Sequence, residues 1–171
     1  ASGMKRMDFL NRLRVRWQYR DLYTCVHGTV RRPINEYLFA IDPIDNPMKV
    51  KDVFDRIPNR CLVGHTHVPG VFTPEPDFYP ADELGHQDSE DPNLAGVFIF
   101  PDDEKAIVNP GSVGQPRDGN PKASYAILDT SSDKHRVEFV RIDYDIESVA
   151  ERIHAIDELD PWLAERLFQG K

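Results

Sequence analysis

Two hydrophobic runs in this chain end alike, each in a histidine beside a glycine: Val26-His27-Gly28 and Gly64-His65-Thr66-His67. Glycine at a strand end lets the backbone take angles closed to other residues and lets a ligand approach closely. His-X-His on an extended segment sends both imidazoles to one side, because side chains alternate with a period of two. Such a pair can bind one metal ion or two neighbouring ions, and imidazole suits zinc, iron, nickel and manganese-type centres. His27 alone reads as a structural hydrogen-bonding residue; beside His65 and His67 it becomes a candidate ligand. The other histidines read as structural or surface residues: His86 in an acidic stretch, His135 opening a strand and His154 on a helix.

A third segment has the composition of a ligand loop. Asn109 to Gly119 (NPGSVGQPRDG) holds three glycines and two prolines and follows an apolar run. Small residues with free backbone N–H groups can cradle an anion. Ser112 and Arg117 are its candidate substrate contacts. Arg117 either adds a bidentate phosphate contact or pairs with Asp118 or another acid.

These three segments need elements to hold them. Met4 to Arg16 has the three- and four-residue apolar spacing of a helix, with a basic opposite face. Asp21 to His27 (DLYTCVH) and Arg60 to Gly64 (RCLVG) read as short buried strands running into glycine loops. Asn35 to Phe39 suggests a helical turn, and Pro47 to Ile57 a helix with proline in its first turn. Pro74 to Leu94 holds four prolines and seven acids without a Lys or Arg, and reads as a long surface loop or lid. Gly96–Phe100 and Lys105–Val108 suggest a hairpin around Pro101-Asp102-Asp103. Ser124–Asp129 and His135–Ile142 suggest two further strands. Helices from Ile146 and from Pro161 close the chain. Helices and strands alternate early and strands dominate late, which predicts an α/β architecture in which sheet packs on sheet and helices cover the outside.

Composition limits what this arrangement serves. With 171 residues, 40% hydrophobic and 29% charged, the chain has the size and make-up of one globular domain, residues 1–171. No window approaches the roughly 18 apolar residues of a membrane span. A net charge of −8 argues against general nucleic-acid binding. Cys25 and Cys61 both lie in apolar runs and read as free thiols in a reducing, cytoplasmic compartment.

The set VHG (26–28), GHTHVP (64–69) and NPGSVGQPRDG (109–119), in that order and with NEYLF (35–39), resembles the calcineurin-like metallophosphoesterases. The likeness is strongest to the compact prokaryotic branch with predicted phosphodiesterases and relatives of symmetrical diadenosine-tetraphosphatases. It runs over nearly the whole chain from Asp8. The resemblance implies a four-layer α/β/β/α sandwich with two divalent transition-metal ions (Mn, Fe, Zn or Ni) at the strand ends. It implies that His27 and His65 ligate one ion and His67 the other, and that the substrate is a phosphate ester, nucleotides among the candidates. Two cations would also let an acidic chain hold a phosphate.

The resemblance is incomplete. Members of the family open with Asp-X-His, Gly-Asp and Gly-Asn-His, which supply the bridging carboxylate, further ligands and a general acid. None precedes His27 here. The expectation is therefore a carboxyl-terminal portion of the sandwich, lacking its N-terminal strands, whose partner is the missing amino-terminal segment of the same domain. On its own this portion should have at most a trace of activity. Two rivals share the residues: an inactive protein-binding scaffold of the same fold, and a structural zinc site of three histidines.

Overall fold

The computed structural model describes residues 2–86 and 89–171. In chain order the elements are α1 (Ser2–Asn11), β1 (Arg16–Tyr19), β2 (Tyr23–Val26), α2 (Asp42–Asp45), α3 (Pro47–Arg56), β3 (Arg60–Leu62), β4 (Gly70–Thr73), β5 (Asp77–Pro80), β6 (Leu94–Ile99), β7 (Ala106–Asn109), β8 (Ala123–Asp129), β9 (Arg136–Ile142), α4 (Ile146–His154) and α5 (Trp162–Glu165). They build a six-stranded sheet, ordered β1-β2-β3-β7-β4-β5, and a three-stranded sheet, ordered β6-β9-β8. The architecture is mixed α/β with sheet against sheet, as the sequence predicts.

The parallel strands β2, β3 and β7 are neighbours at the centre of the larger sheet. Their sequences are short and apolar on both faces, as strands covered on both sides must be. On one side α3 lays Val50, Val53 and Phe54 against Val26, Val63, Phe72 and Ile107. On the other side Tyr23, Val71, Ala106 and Val108 meet Ala95, Val137 and Phe139 of the smaller sheet. Strand β7 lies between β3 and β4, so the connection 63–69 must arch over its carboxyl end.

Several expectations need correction. Gly96–Phe100 and Lys105–Val108 do not form a hairpin. Strand β6 pairs with β9 while β7 pairs with β3 and β4, so the chain changes sheets between them. Phe100, 1% exposed, anchors the crossing by packing edge-on against Tyr23. All four residues of β7 are buried, which suits a central strand and not a hairpin arm. The acidic stretch 74–94 is not all loop: Asp77–Pro80 forms the edge strand β5 on β4, where proline is tolerated. The amino-terminal helix stops at Asn11, and Arg16–Tyr19 turns back as a strand on β2. The three residues 20–22 make the connection, and Arg20 and Asp21 take left-handed φ of 52° and 53° in it. Residues 36–39 are irregular, not helical. In β9 the slip in the apolar pattern buries Arg141 and exposes Ile142.

Both cysteines are free thiols; Cys61 is buried, and burial pushes its thiol up to about 12. Among the described residues, no helix is long and apolar enough to cross a membrane.

Candidate metal centre

The three central parallel strands end on one rim, and each delivers one of the segments singled out by sequence. His27 follows β2, the Gly64–His67 turn follows β3, and Asn109–Gly119 follows β7. Proximity is thus a product of strand order, as expected at the carboxyl ends of parallel strands.

His27 and His65 come together. His27 Nε2 lies 2.9 Å from His65 Nδ1, with the rings edge to face at 4.6 Å. Gly28 lets the chain turn there: its N–H donates to the Pro33 carbonyl at 2.6 Å. A Cβ on it would stand 2.8 Å from the carbonyl oxygens of Arg32 and Glu36. His67 lies on the same turn, and its Nδ1 meets the Gln115 carbonyl at 2.7 Å. That contact fixes the Nδ1–H tautomer and leaves Nε2 as the acceptor.

The turn differs from the extended His-X-His of the sequence reading. His65 and His67 both have left-handed backbones, with φ of 68° and 61°. The arch over β7 demands it, and histidine tolerates this region better than most residues. Asn109, 1% exposed, pins the arch. Its Nδ2 donates to the Gly64 carbonyl at 2.9 Å and to Thr66 Oγ1 at 2.7 Å, and its Oδ1 accepts the Gly111 N–H at 3.0 Å. One amide side chain thereby joins the histidine turn to the glycine loop.

Burial, and then the neighbouring His27, pushes the His65 imidazole below its usual range, against an opposing hydrogen bond with the Asn35 backbone. Burial likewise lowers His67, against its Gln115 contact. Both shifts favour the neutral ring, the state in which imidazole binds a metal.

Arg117 does not pair with Asp118. Its Nε and Nη2 donate to Gln115 Oε1 at 3.1 and 2.6 Å, while Asp118 is taken by Arg141. Among the described residues no carboxylate forms an ion pair with Arg117, so its charge is free to meet an anion. Ser112 Oγ accepts the N–H groups of Gly114 and Gln115 at 3.2 and 2.9 Å, leaving its hydroxyl proton to donate.

A divalent ion suits these donors in type. Nitrogens bonded to one ion at about 2.1 Å and roughly a right angle apart stand about 3.0 Å from each other, close to the His27–His65 separation. Among the described residues, though, no set of three or more His, Cys, Asp or Glu is grouped closely enough to hold an ion. The pair His27–His65 is assembled, His67 stands beside it, and no carboxylate completes either. Sequence reasoning missed the roles of two residues that hold the histidine turn, Asn109 and Gln115. Asn109 and Gln115 lay inside a segment already marked, but nothing in their types announces the role. His86, His135 and His154 lie away from the rim; His135 Nδ1 instead meets Tyr23 Oη at 2.7 Å.

Comparison with known proteins agrees with this layout. No family model matches the chain. The crystal structure of a metallophosphoesterase from Sphaerobacter thermophilus is similar with a TM-score of 0.72 and 30% identity, over 98% of this chain and 62% of that one. In fold and in sequence the chain is similar to that metallophosphoesterase. An uncharacterized protein of Methanocaldococcus jannaschii is 40% identical over 149 residues, 85% of this chain and 50% of that protein. A hypothetical protein from Pyrococcus horikoshii shares the fold at a TM-score of 0.61 and 19% identity, over 99% of this chain and 56% of that one. The chain thus spans about half the length of the curated relative it matches.

Proposed function

We propose that this chain carries the imidazole side of a dinuclear centre that hydrolyses phosphoesters. His27 and His65 hold one ion and His67 the other. The 2.9 Å approach of His27 to His65 at the rim of three parallel strands carries this reading. When bound, two divalent ions supply Lewis acidity at the phosphoryl oxygens and lower the pKa of the attacking water. The chain's own residues orient and bind. The Gln115 carbonyl aims His67, Arg117 offers an unneutralised guanidinium, and Ser112 offers a hydroxyl proton to a phosphate oxygen. Nucleotides and simple phosphodiesters are both substrates of the right chemistry. Two free thiols support a cytoplasmic setting.

Among the described residues no carboxylate completes the pair; in this reading the bridging carboxylate and a general acid are supplied from outside these 171 residues. That half-length match to a relative supports the view that the 171 residues form one incomplete sandwich domain. The 171-residue chain should therefore hydrolyse a chromogenic phosphodiester only at a trace rate with Mn²⁺, Ni²⁺ or Zn²⁺. Robust metal-dependent turnover by this chain alone would refute the division of ligands. A longer form carrying Asp-X-His, Gly-Asp and Gly-Asn-His should bind about two ions and turn over, and His65→Ala should abolish that turnover. A form that binds no ion at all would instead be the inactive scaffold.

A further inference from the structure

The His65 ring is held on two sides. One side is His27. The other is the Tyr37 ring, stacked on it at 3.8 Å between centroids and 22° between planes. Tyr37 is itself backed by Phe39, parallel within 3° at 5.0 Å. Behind Phe39 stands the Lys49 ammonium, 5.7 Å from the ring centre. The column ends on a buried carboxylate. Asp42, 2% exposed, accepts Lys49 Nζ at 2.6 Å, the Phe39 backbone N–H at 2.7 Å and Asn46 Nδ2 at 3.1 Å. Asp42 thus fixes both the cation behind Phe39 and the backbone that carries Phe39.

We infer that Tyr37 is a positioning residue for His65: the column running from Asp42 through Lys49 and Phe39 holds the imidazole with Nδ1 aimed at the point shared with His27. The inference rests on the metal-centre reading above and adds a residue to it. The His65 backbone is left-handed and its ring is only part-buried, and its hydrogen bond with the Asn35 backbone fixes one nitrogen but not the tilt of the ring plane about it. A flat aromatic face at stacking distance does. The stack also gains when an ion binds, because a metal-bound imidazole is electron-poor and the tyrosine face is electron-rich. Tyr37 therefore favours the loaded state over the empty one.

The segment that carries Tyr37 is tied down without its ring. Gly28 N–H donates to Pro33, Thr29 Oγ1 donates to Glu36, and Arg31 bridges Glu36 and Asp52 at 3.3 and 3.1 Å. Removing the ring should therefore leave the fold intact.

The test is titration with Co²⁺ alone, followed by visible absorption, of the longer form that carries Asp-X-His, Gly-Asp and Gly-Asn-His, with thermal melting of the metal-free protein alongside. Tyr37→Leu should weaken Co²⁺ binding about tenfold, the scale on which groups that orient a ligand act, and should alter the absorption band. Tyr37→Phe keeps the ring and should restore both, and the metal-free melting temperature should stay put in each variant. Wild-type affinity in Tyr37→Leu, or a Phe variant as weak as the Leu variant, overturns the role of Tyr37. His65→Ala separates the two levels: if it leaves Co²⁺ binding unchanged, the metal-centre reading falls and Tyr37 with it. Lost binding in His65→Ala beside unchanged binding in Tyr37→Leu refutes the positioning role alone.

Discussion

Asn109 satisfies three partners with one side chain, and two of them are backbone groups of the segments that bear the site. Asn109→Ala leaves the Gly64 carbonyl, the Gly111 N–H and the Thr66 hydroxyl without it in a closely packed place. Unmade buried hydrogen bonds cost about 1–3 kcal/mol per group, with part of the loss recovered by relaxation. The expected destabilisation is about 2–4 kcal/mol by urea denaturation. Asn109→Asp keeps the acceptor but sets a buried carboxylate oxygen against the Gly64 carbonyl, so it should cost at least as much as alanine. At this scale the sequence was legible where residue type announces chemistry: a histidine beside a glycine twice over, and an arginine among glycines. It was not legible where common residues act by placement. Tyr37 and Asn109 look ordinary in a string of letters, because their roles depend on neighbours that folding brings up from elsewhere in the chain.

The glycine loop following β7 is held from the second sheet as well as from its own strand. Ser124 on β8 donates its N–H to the Ser112 carbonyl at 2.9 Å and its Oγ to the Pro110 carbonyl at 2.8 Å. Arg141 on β9 reaches from a side chain 6% exposed to Asp118 on the loop and to Asp82 beyond β5. Arg141→Met strands the shielded Asp118 carboxylate. Breaking a buried pair by removing one partner costs about 3–5 kcal/mol; since Asp82 is half-exposed and screened, a loss of about 2–4 kcal/mol is expected. Asp82→Asn should cost well under half of that, measured on the same urea curve. The apolar runs that became β2, β3, α3, β8 and β9 were readable from periodicity and from their glycine, proline and polar borders. Strand β5 was not, because prolines and acids mask an edge strand. Nor was the parting of β6 from β7, since two adjacent strands with a turn signal between them look the same whether they pair together or belong to different sheets. Burial of every residue of β7 was the decisive difference, and it is a tertiary fact.

Across the whole molecule, one surface stands out as unusually apolar. Met7, Phe9, Leu10, Leu13, Val15 and Trp17 are each at least half exposed, along α1 and the edge strand β1. A cavity of about 440 Å³ lined by Leu13, Trp17, Cys25, His27 and Ile34 opens beside them. The predicted helix stripe is present but covers nothing among the described residues. This chain should therefore bind the dye ANS in its native state. Leu10→Glu with Leu13→Glu should lower that fluorescence while moving stability by no more than about 0.5 kcal/mol per site, as surface changes do. Unchanged dye binding would mean that the apolar face is covered in solution.

The place of β7 between β3 and β4 sets a schedule for folding. The arch that carries His65 and His67 is pinned by Asn109 and crosses a strand that the chain supplies only after β5 and β6. Closing so long a loop is entropically costly, and contacts of high sequence separation form late. A chain emerging from synthesis thus carries its histidines for some time before it has anywhere to put them, and their side-by-side geometry appears only when β7 inserts.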